Sequence, residues 1–549
     1  MRMAARSVMV PRRSAAYLVW ASLALGWVSQ PRAAEIGPAL GPPVAVLATK
    51  PLGQLVEKAK QVLKAVEPER TSTVLGPLTE RWGRGLDMTR PAGAAVFLRG
   101  GQWHALGFLP VKDVPELLTG VREWTGAQGD AHGGIARIER PLPLFFRIQS
   151  DWVFLSTQAI DLSALPEDPT ALLRGLDCAK YDCAARVNLQ AIPLGRLVPP
   201  ATPGPPLPLR PQTSRSEVSL PAELQGLVEQ VRFATFGISV DGPSRTAHVE
   251  LALAAAADSE LLRMLGPAGA HSHFSGVRSR SADLSCAVRL NLGAERAAGL
   301  QAMLTRASTA GNNPGHAPTA SGGSAVDVQT RVLDTAVQLC REALEGGQID
   351  AAAGLAIYPG NSAILLAAAV HDEQRLRDCL GRLYHALRNN PNAKDLQVAV
   401  HDYRGARFVS LALDLKAGAA RQLLGDKPVI VLGQHGTDFY FVIGGDMALE
   451  RAKRIHNQSR AGSGGVVPAA ELSFRFGALT KIAGGSQPAS PQRPAGDVLS
   501  RELLRAHGRD RASLTLGTVP GGATLRLDLE EFYLQFLAAV CTAALATAP

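Results

Sequence analysis

Apolar positions along the chain alternate, then change to a three-to-four spacing, and this change recurs at two distant places. Residues 93–98 and 103–111 read as two strands around a glycine turn, and Asp113 opens the helical run that follows. Residues 354–359 and 362–370 repeat that order, with Asp372 ahead of the next helical run. Turns at Gly100 and Gly360 supply positive φ at low cost, as hairpins require. Each aspartate stands where a carboxylate can accept from the first free amides of a helix. Upstream, Leu55, Val56, Ala59, Val62, Leu63 and Val66 fall on one face of a predicted helix over 52–66.

The parallel continues along the chain. Strand 44–47 and helix 52–66 match strand 284–292 and helix 295–304. Residues 151–155 match 438–442, and 182–189 around Arg186 match 471–478 around Arg475. Strand pairs at 233–253 and 512–529 turn at Gly242 and at Gly521, and apolar helices follow at 259–265 and 531–548. A shorter likeness between 183–189 and 286–292 allows a half-domain used more than twice. A repeat of this length decides architecture. The expected fold class is α+β: two tandem related domains, 35–270 and 281–549, mainly antiparallel sheets with helices packed on one face. The proline-rich 199–211 reads as an extended insertion in the first, and the Gly/Ser/Thr/Asn-rich 308–324 as a flexible insertion in the second.

At 549 residues, 46% of them apolar and 19% charged, the chain can bury more than one core. Aromatics are only 5%, so packing must rest on small and aliphatic side chains. The net charge of +9 is partly local. Of 57 Lys and Arg, five (Arg2, Arg6, Arg12, Arg13 and Arg32) precede residue 35, which leaves 52 against 48 acids. No basic cluster implies a nucleic-acid partner. Those arginines and the apolar run 15–28 read as a signal peptide over 1–34, cut near Ala33 or Ala34, and the address expected is periplasmic or extracellular. A retained N-terminal anchor is the alternative.

Six cysteines (Cys178, Cys183, Cys286, Cys340, Cys379 and Cys541) are too few to hold the fold, although export permits a bridge such as Cys340–Cys379 if their helices pack. Cys178 and Cys183 have no second pair at zinc-ligand spacing.

Catalytic signatures are missing: no Gly-x-Ser-x-Gly, Ser-x-x-Lys, phosphate loop, dinucleotide fingerprint or His-Glu-x-x-His occurs. His271 and His273 would share a face of a strand but have no third ligand nearby. His371-Asp372 and His401-Asp402 could converge as acid–base groups. Against this, Asp372 is explained as a helix cap, and Lys112 stands at the place of His371. His435 and Asp438 read as a polar turn. Arg186, Arg289 and Arg475, each mid-strand, suit a cross-strand carboxylate or solvent. Asn457-Gln458-Ser459 fits a glycosylation acceptor. No catalytic, cofactor or metal residue is assigned, and no cofactor is expected.

The runs Gly-Phe-Leu-Pro-Val-Lys-Asp at 107–113 and Tyr-Asp-Cys-Ala-Ala-Arg-Val-Asn-Leu-Gln-Ala-Ile-Pro at 181–193, behind an export signal, resemble large exported proteins of unknown function from planctomycete-type bacteria. The proline tract at 199–211 departs from the helix-rich sequence expected of them there. The resemblance implies a topology and an address, not an activity. The leading expectation is a non-enzymatic binding or scaffold protein of the cell envelope, acting through its sheets or the cleft between copies on an envelope protein or ligand. A hydrolase with a dispersed site in the second domain is the second reading. A membrane-associated lipid-binding protein, touching the bilayer through the N-terminal segment or the C-terminal helix, is the third.

Overall fold

The computed structural model describes residues 41–66, 83–125, 134–138, 144–163, 165–192, 229–267, 272–274, 282–311, 338–339, 341–358, 360–388, 397–412, 419–460, 468–478, 503–504 and 506–537. The predicted signal segment, both predicted insertions beyond residue 311 and before 229, His271, Cys340 and Cys541 lie outside them. The chain divides into two compact units. One comprises residues up to 254 with 492–510 and 528–549, and the other 255–491 with 511–527. This grouping differs from the ranges read off the sequence, because 492–510 and the segment from Asp528 onward group with the first unit and 255–270 with the second.

In the first unit, β1 (Ala45–Pro51), α1 (Leu52–Val66), β2 (Pro91–Arg99), β3 (Gln102–Pro110), α2 (Val114–Thr125), β4 (Ala136–Ile138), β5 (Leu144–Gln149), β6 (Trp152–Ser156), β7 (Cys183–Asn188), β8 (Val231–Asp241) and β9 (Thr246–Ala255) follow one another. The pairings run β4–β5–β6–β3–β2–β1–β7–β8, all antiparallel. The second unit contains α3 (Glu260–Leu265), β10 (Leu284–Asn291), α4 (Gly293–Gly311), β11 (Gln348–Ala356), β12 (Ala363–Ala369), α5 (Glu373–Arg388), β13 (Gln397–Tyr403), β14 (Ala406–Ala412), α6 (Ala419–Leu424), β15 (Val429–His435), β16 (Asp438–Gly444), α7 (Ala448–Arg460), β17 (Ala470–Arg475) and β18 (Arg511–Val519); β19 (Gly522–Leu529) closes the strand series. Its order is β13–β14–β15–β16–β12–β11–β10–β17–β18, again antiparallel throughout. From β14 onward this is the order of the first unit, strand for strand.

Single bonds outside the ladders agree as well. Val44 N donates to Val96 O at 2.7 Å, and Asp283 N to Leu355 O at 2.8 Å. Val111 N donates to Asp151 O at 2.8 Å, and Val370 N to Thr437 O at 2.9 Å. Asn188 N donates to Val44 O, and Arg475 N to Asp283 O, both at 2.7 Å. The second of these pairs sets Asp151 level with Thr437, and so Trp152 rather than Asp151 at the place of Asp438, a correction of one residue to the match of 151–155 with 438–442. The last pair corrects another match. Arg475 stands at the place of Asn188, not of Arg186, whose place is taken by Ser473. A slip of two keeps every side chain on its face, so hydropathy alone does not detect it.

The expectation of helices on one face fails in the second unit. Val431 and Val442 pack with Ala448, Ala452 and Ile455 of α7, over Ala287, Ala352 and Ala367. Their neighbours Ile430, Leu432 and Phe439 pack with Leu376 and Cys379 of α5 on the opposite face. A strand covered on both sides reads as a continuous apolar run, as β15 does. The alanines on the α7 side let that helix lie close to the sheet. In the first unit Trp152 and Phe154 point one way, into a core with Phe97, Leu106 and Phe108, while Val153 points toward α2.

Candidate functional site

Three groups displaced from ordinary ionisation, Asp438, Tyr440 and His456, gather under α7. The helix buries Ala448, Ala452, Ile455, His456 and Ser459, a stripe at helical spacing whose last members are polar. β16 places Asp438 and Tyr440 on the same side of the sheet, and the β15–β16 turn sets His435 directly opposite Asp438. Tyr440 Oη donates to Asp438 Oδ2 at 3.1 Å and lies 2.9 Å from Ser459 Oγ. Ser459 Oγ donates to the His456 carbonyl at 2.9 Å, and His456 Nδ1 sits 3.3 Å from Tyr440 Oη. The His435 and His456 rings are 4.9 Å apart between centroids. His456 Nε2 is buried without a hydrogen bond.

Burial pushes the Asp438 carboxyl above its usual range, against the hydrogen bond from Tyr440 and the pull of His273 and His435. Burial likewise raises the Tyr440 hydroxyl. Burial lowers the His456 imidazole, and His435, Arg460 and Arg404 add repulsion, with the Arg404 carbonyl opposing. Around neutral pH the cluster therefore holds a neutral imidazole beside an un-ionised phenol. Three perturbed groups in contact make this the strongest site candidate among the described residues. The sequence had assigned His435 and Asp438 to a polar turn.

In the first unit Trp152 and Phe154 stand at the places of Asp438 and Tyr440, and the buried polar group is a different one. His104 Nδ1 donates to Asp161 Oδ1 at 2.8 Å, and Ser156 Oγ donates to Asp161 Oδ2 at 2.5 Å, all three buried. The carboxylate stands between the hydroxyl and the imidazole, so the histidine cannot take the serine proton. This is the reverse of a nucleophile triad.

A third group converges where residues far apart in sequence meet in the first unit. His248 Nδ1 bonds Asp528 Oδ1, its Nε2 lies 3.5 Å from Thr246 Oγ1, and Thr246 Oγ1 is 2.7 Å from Ser244 Oγ. Ser244 Oγ also donates to Asp241 Oδ2 at 2.5 Å. Arg245 and Arg509 both pair with the buried Glu531. Nothing in the local sequence marks these residues. Strand alternation sets Thr246 and His248 on one face.

The sequence candidates fare unevenly. Asp372 accepts from Gln374 N at 2.8 Å and Arg375 N at 3.1 Å as a helix cap, while His401 Nε2 bonds Ser410 Oγ at 3.0 Å across the β13–β14 pair. No bond joins His371, Asp372 and His401 among the described residues. Arg186 donates to Arg174 O and lies over the Phe233 ring, and Arg289 stands opposite Asp350 with its Nη1 buried. Asn457 of the acceptor tripeptide is engaged with Tyr403 and Arg404, and Ser459 is buried. Cys178, Cys183, Cys286 and Cys379 are free thiols.

Among the described residues no three His, Cys, Asp or Glu side chains are grouped to hold a metal. No described helix is long and apolar enough to cross a membrane. Comparison with family models, curated proteins and solved structures finds no match.

Proposed function

We propose that the protein is an exported, non-enzymatic binding or scaffold protein of the cell envelope, built from one α+β module used twice. The observation that carries this reading is a contrast. The units agree in strand order, in backbone bonds and in the caps at Asp113 and Asp372, yet their buried polar clusters do not correspond. A module kept for chemistry would keep its polar groups. These copies keep what holds a sheet together. In both clusters the hydrogen-bonding groups point at one another.

One arrangement favours a second reading, a hydrolase. In the line Asp528–His248–Thr246–Ser244 the carboxylate fixes the ring and Nε2 faces a hydroxyl, which is the order a nucleophile needs. It lies in the first unit, not the second. Both readings are tested on the full chain with its own N-terminus, expressed in a Gram-negative host. The scaffold reading expects periplasmic protein starting near residue 34 and no labelling by a fluorophosphonate probe. Unprocessed cytoplasmic protein would remove the export half. Labelling lost in Thr246→Ala and His248→Gln would establish the hydrolase instead.

A further inference from the structure

His456 is fully buried and faces a surround hostile to positive charge. β15 presents the His435 ring at 4.9 Å, β13 and β14 present Tyr403 at 6.4 Å and Phe408 at 6.2 Å, and the turn between them carries Arg404. Arg460 comes from α7 itself and donates to the Arg404 carbonyl at 3.1 Å. β16 presents the Tyr440 hydroxyl, with Asp438 behind it. The 272–274 segment adds Phe274, edge-on to Tyr440 at 6.4 Å, and His273, whose amide is held by Asp350 of β11. A proton on Nε2 would create a buried charged donor beside two arginines and a second histidine, opposed only by the Arg404 carbonyl, which already accepts from Arg460. The C-terminal half of α7 is held otherwise by the buried contact of Ser459 Oγ with Tyr440 Oη at 2.9 Å and by Arg404 to Asn457 at 3.1 Å and Asn457 to Tyr403 at 3.0 Å, while its N-terminal half is seated through Ala448, Ala452 and Ile455.

We propose that α7 is an acid-released latch: protonation of His456 in mildly acidic solution lifts the C-terminal half of the helix off the second unit's sheet and uncovers Phe408 and Tyr440. The sign follows from linkage. A released histidine has the ordinary value of 6.5, and the seated one lies lower. Seating is therefore at full strength above 6.5 and weakens about tenfold per pH unit below it, until the seated ring itself titrates.

The test is hydrogen–deuterium exchange on the full chain between pH 7.5 and 5.5, with rates corrected for intrinsic exchange. Peptides covering 448–460 and 403–408 should lose protection about tenfold below 6.5, while α2 in the first unit stays unchanged. In His456→Phe the protection of 448–460 should no longer depend on pH. If that variant does not fold, His435→Asn serves instead. Removing the neighbouring charge lets the seated ring hold its proton more easily, so the pH response should shrink. A flat profile in the native chain, or an undiminished response in either variant, overturns the latch.

Discussion

Asp113 and Asp372 make the same bond in the two units: Asp113 Oδ1 accepts from Glu116 N at 3.0 Å, and Asp372 Oδ1 from Arg375 N at 3.1 Å. Each helix then continues identically, with Leu117 N on Asp113 O and Leu376 N on Asp372 O, both at 3.1 Å. Asp113→Ala should cost about 1 kcal/mol, and Asp113→Ser much less. The six tryptophans all lie at or before position 152, so their fluorescence in a urea titration reads the first unit. Asp372→Ala should leave that signal unmoved while lowering the far-ultraviolet circular dichroism midpoint.

Trp152 anchors the first core. It is 1% exposed, meets Phe108 edge-on at 5.7 Å between centroids and is covered by the Arg90 guanidinium at 4.1 Å. Trp152→Ala should cost about 3–5 kcal/mol, and Trp152→Phe clearly less. Urea titration followed by circular dichroism decides between them.

Asp161 satisfies two buried groups at once. Asp161→Ala leaves His104 and Ser156 without a partner and should cost about 3 kcal/mol, whereas Ser156→Ala should cost about 1. If Ser156→Ala proves as damaging as Asp161→Ala, the carboxylate is not the hub of the cluster.

Asp182 makes the first unit sensitive to acid. Burial opposes its ionisation, but hydrogen bonds from Lys58, the Val240 amide and Lys50 outweigh it and hold the carboxyl below the ordinary 3.8. The folded state therefore resists protonation. Its stabilisation is complete above 3.8 and is lost as pH falls from there through the lower folded value. Asp182→Asn should be less stable at pH 7 and show a shallower loss below pH 4, read by tryptophan fluorescence. An unchanged acid limb would count against the Lys58–Asp182 pair.

Local features were legible in advance. The hairpins around Gly100 and Gly360, the caps at Asp113 and Asp372, and the helix from Leu52 all stand where the pattern put them, because each is settled within a few residues by φ, amide satisfaction or apolar spacing. The candidate sites were not. His248 and Asp528 are 280 residues apart, and Arg245 and Glu531 are 286 apart, so no window contains both partners. Nothing near His456 in the sequence marks it, because its burial depends on the sheet packed against α7.

By itself the sequence determined the alternation of strands and helices, their turns and caps, and the recurrence of one order along the chain, since these depend on near neighbours. The tertiary structure alone decided that α5 and α7 cover opposite faces of one sheet, and that Asp528 joins a histidine of the first unit. It also decided that a half-buried carboxyl and imidazole meet a buried phenol and a second, buried imidazole. Burial and the distance between groups remote in sequence set those energies, and both exist only once the chain has folded.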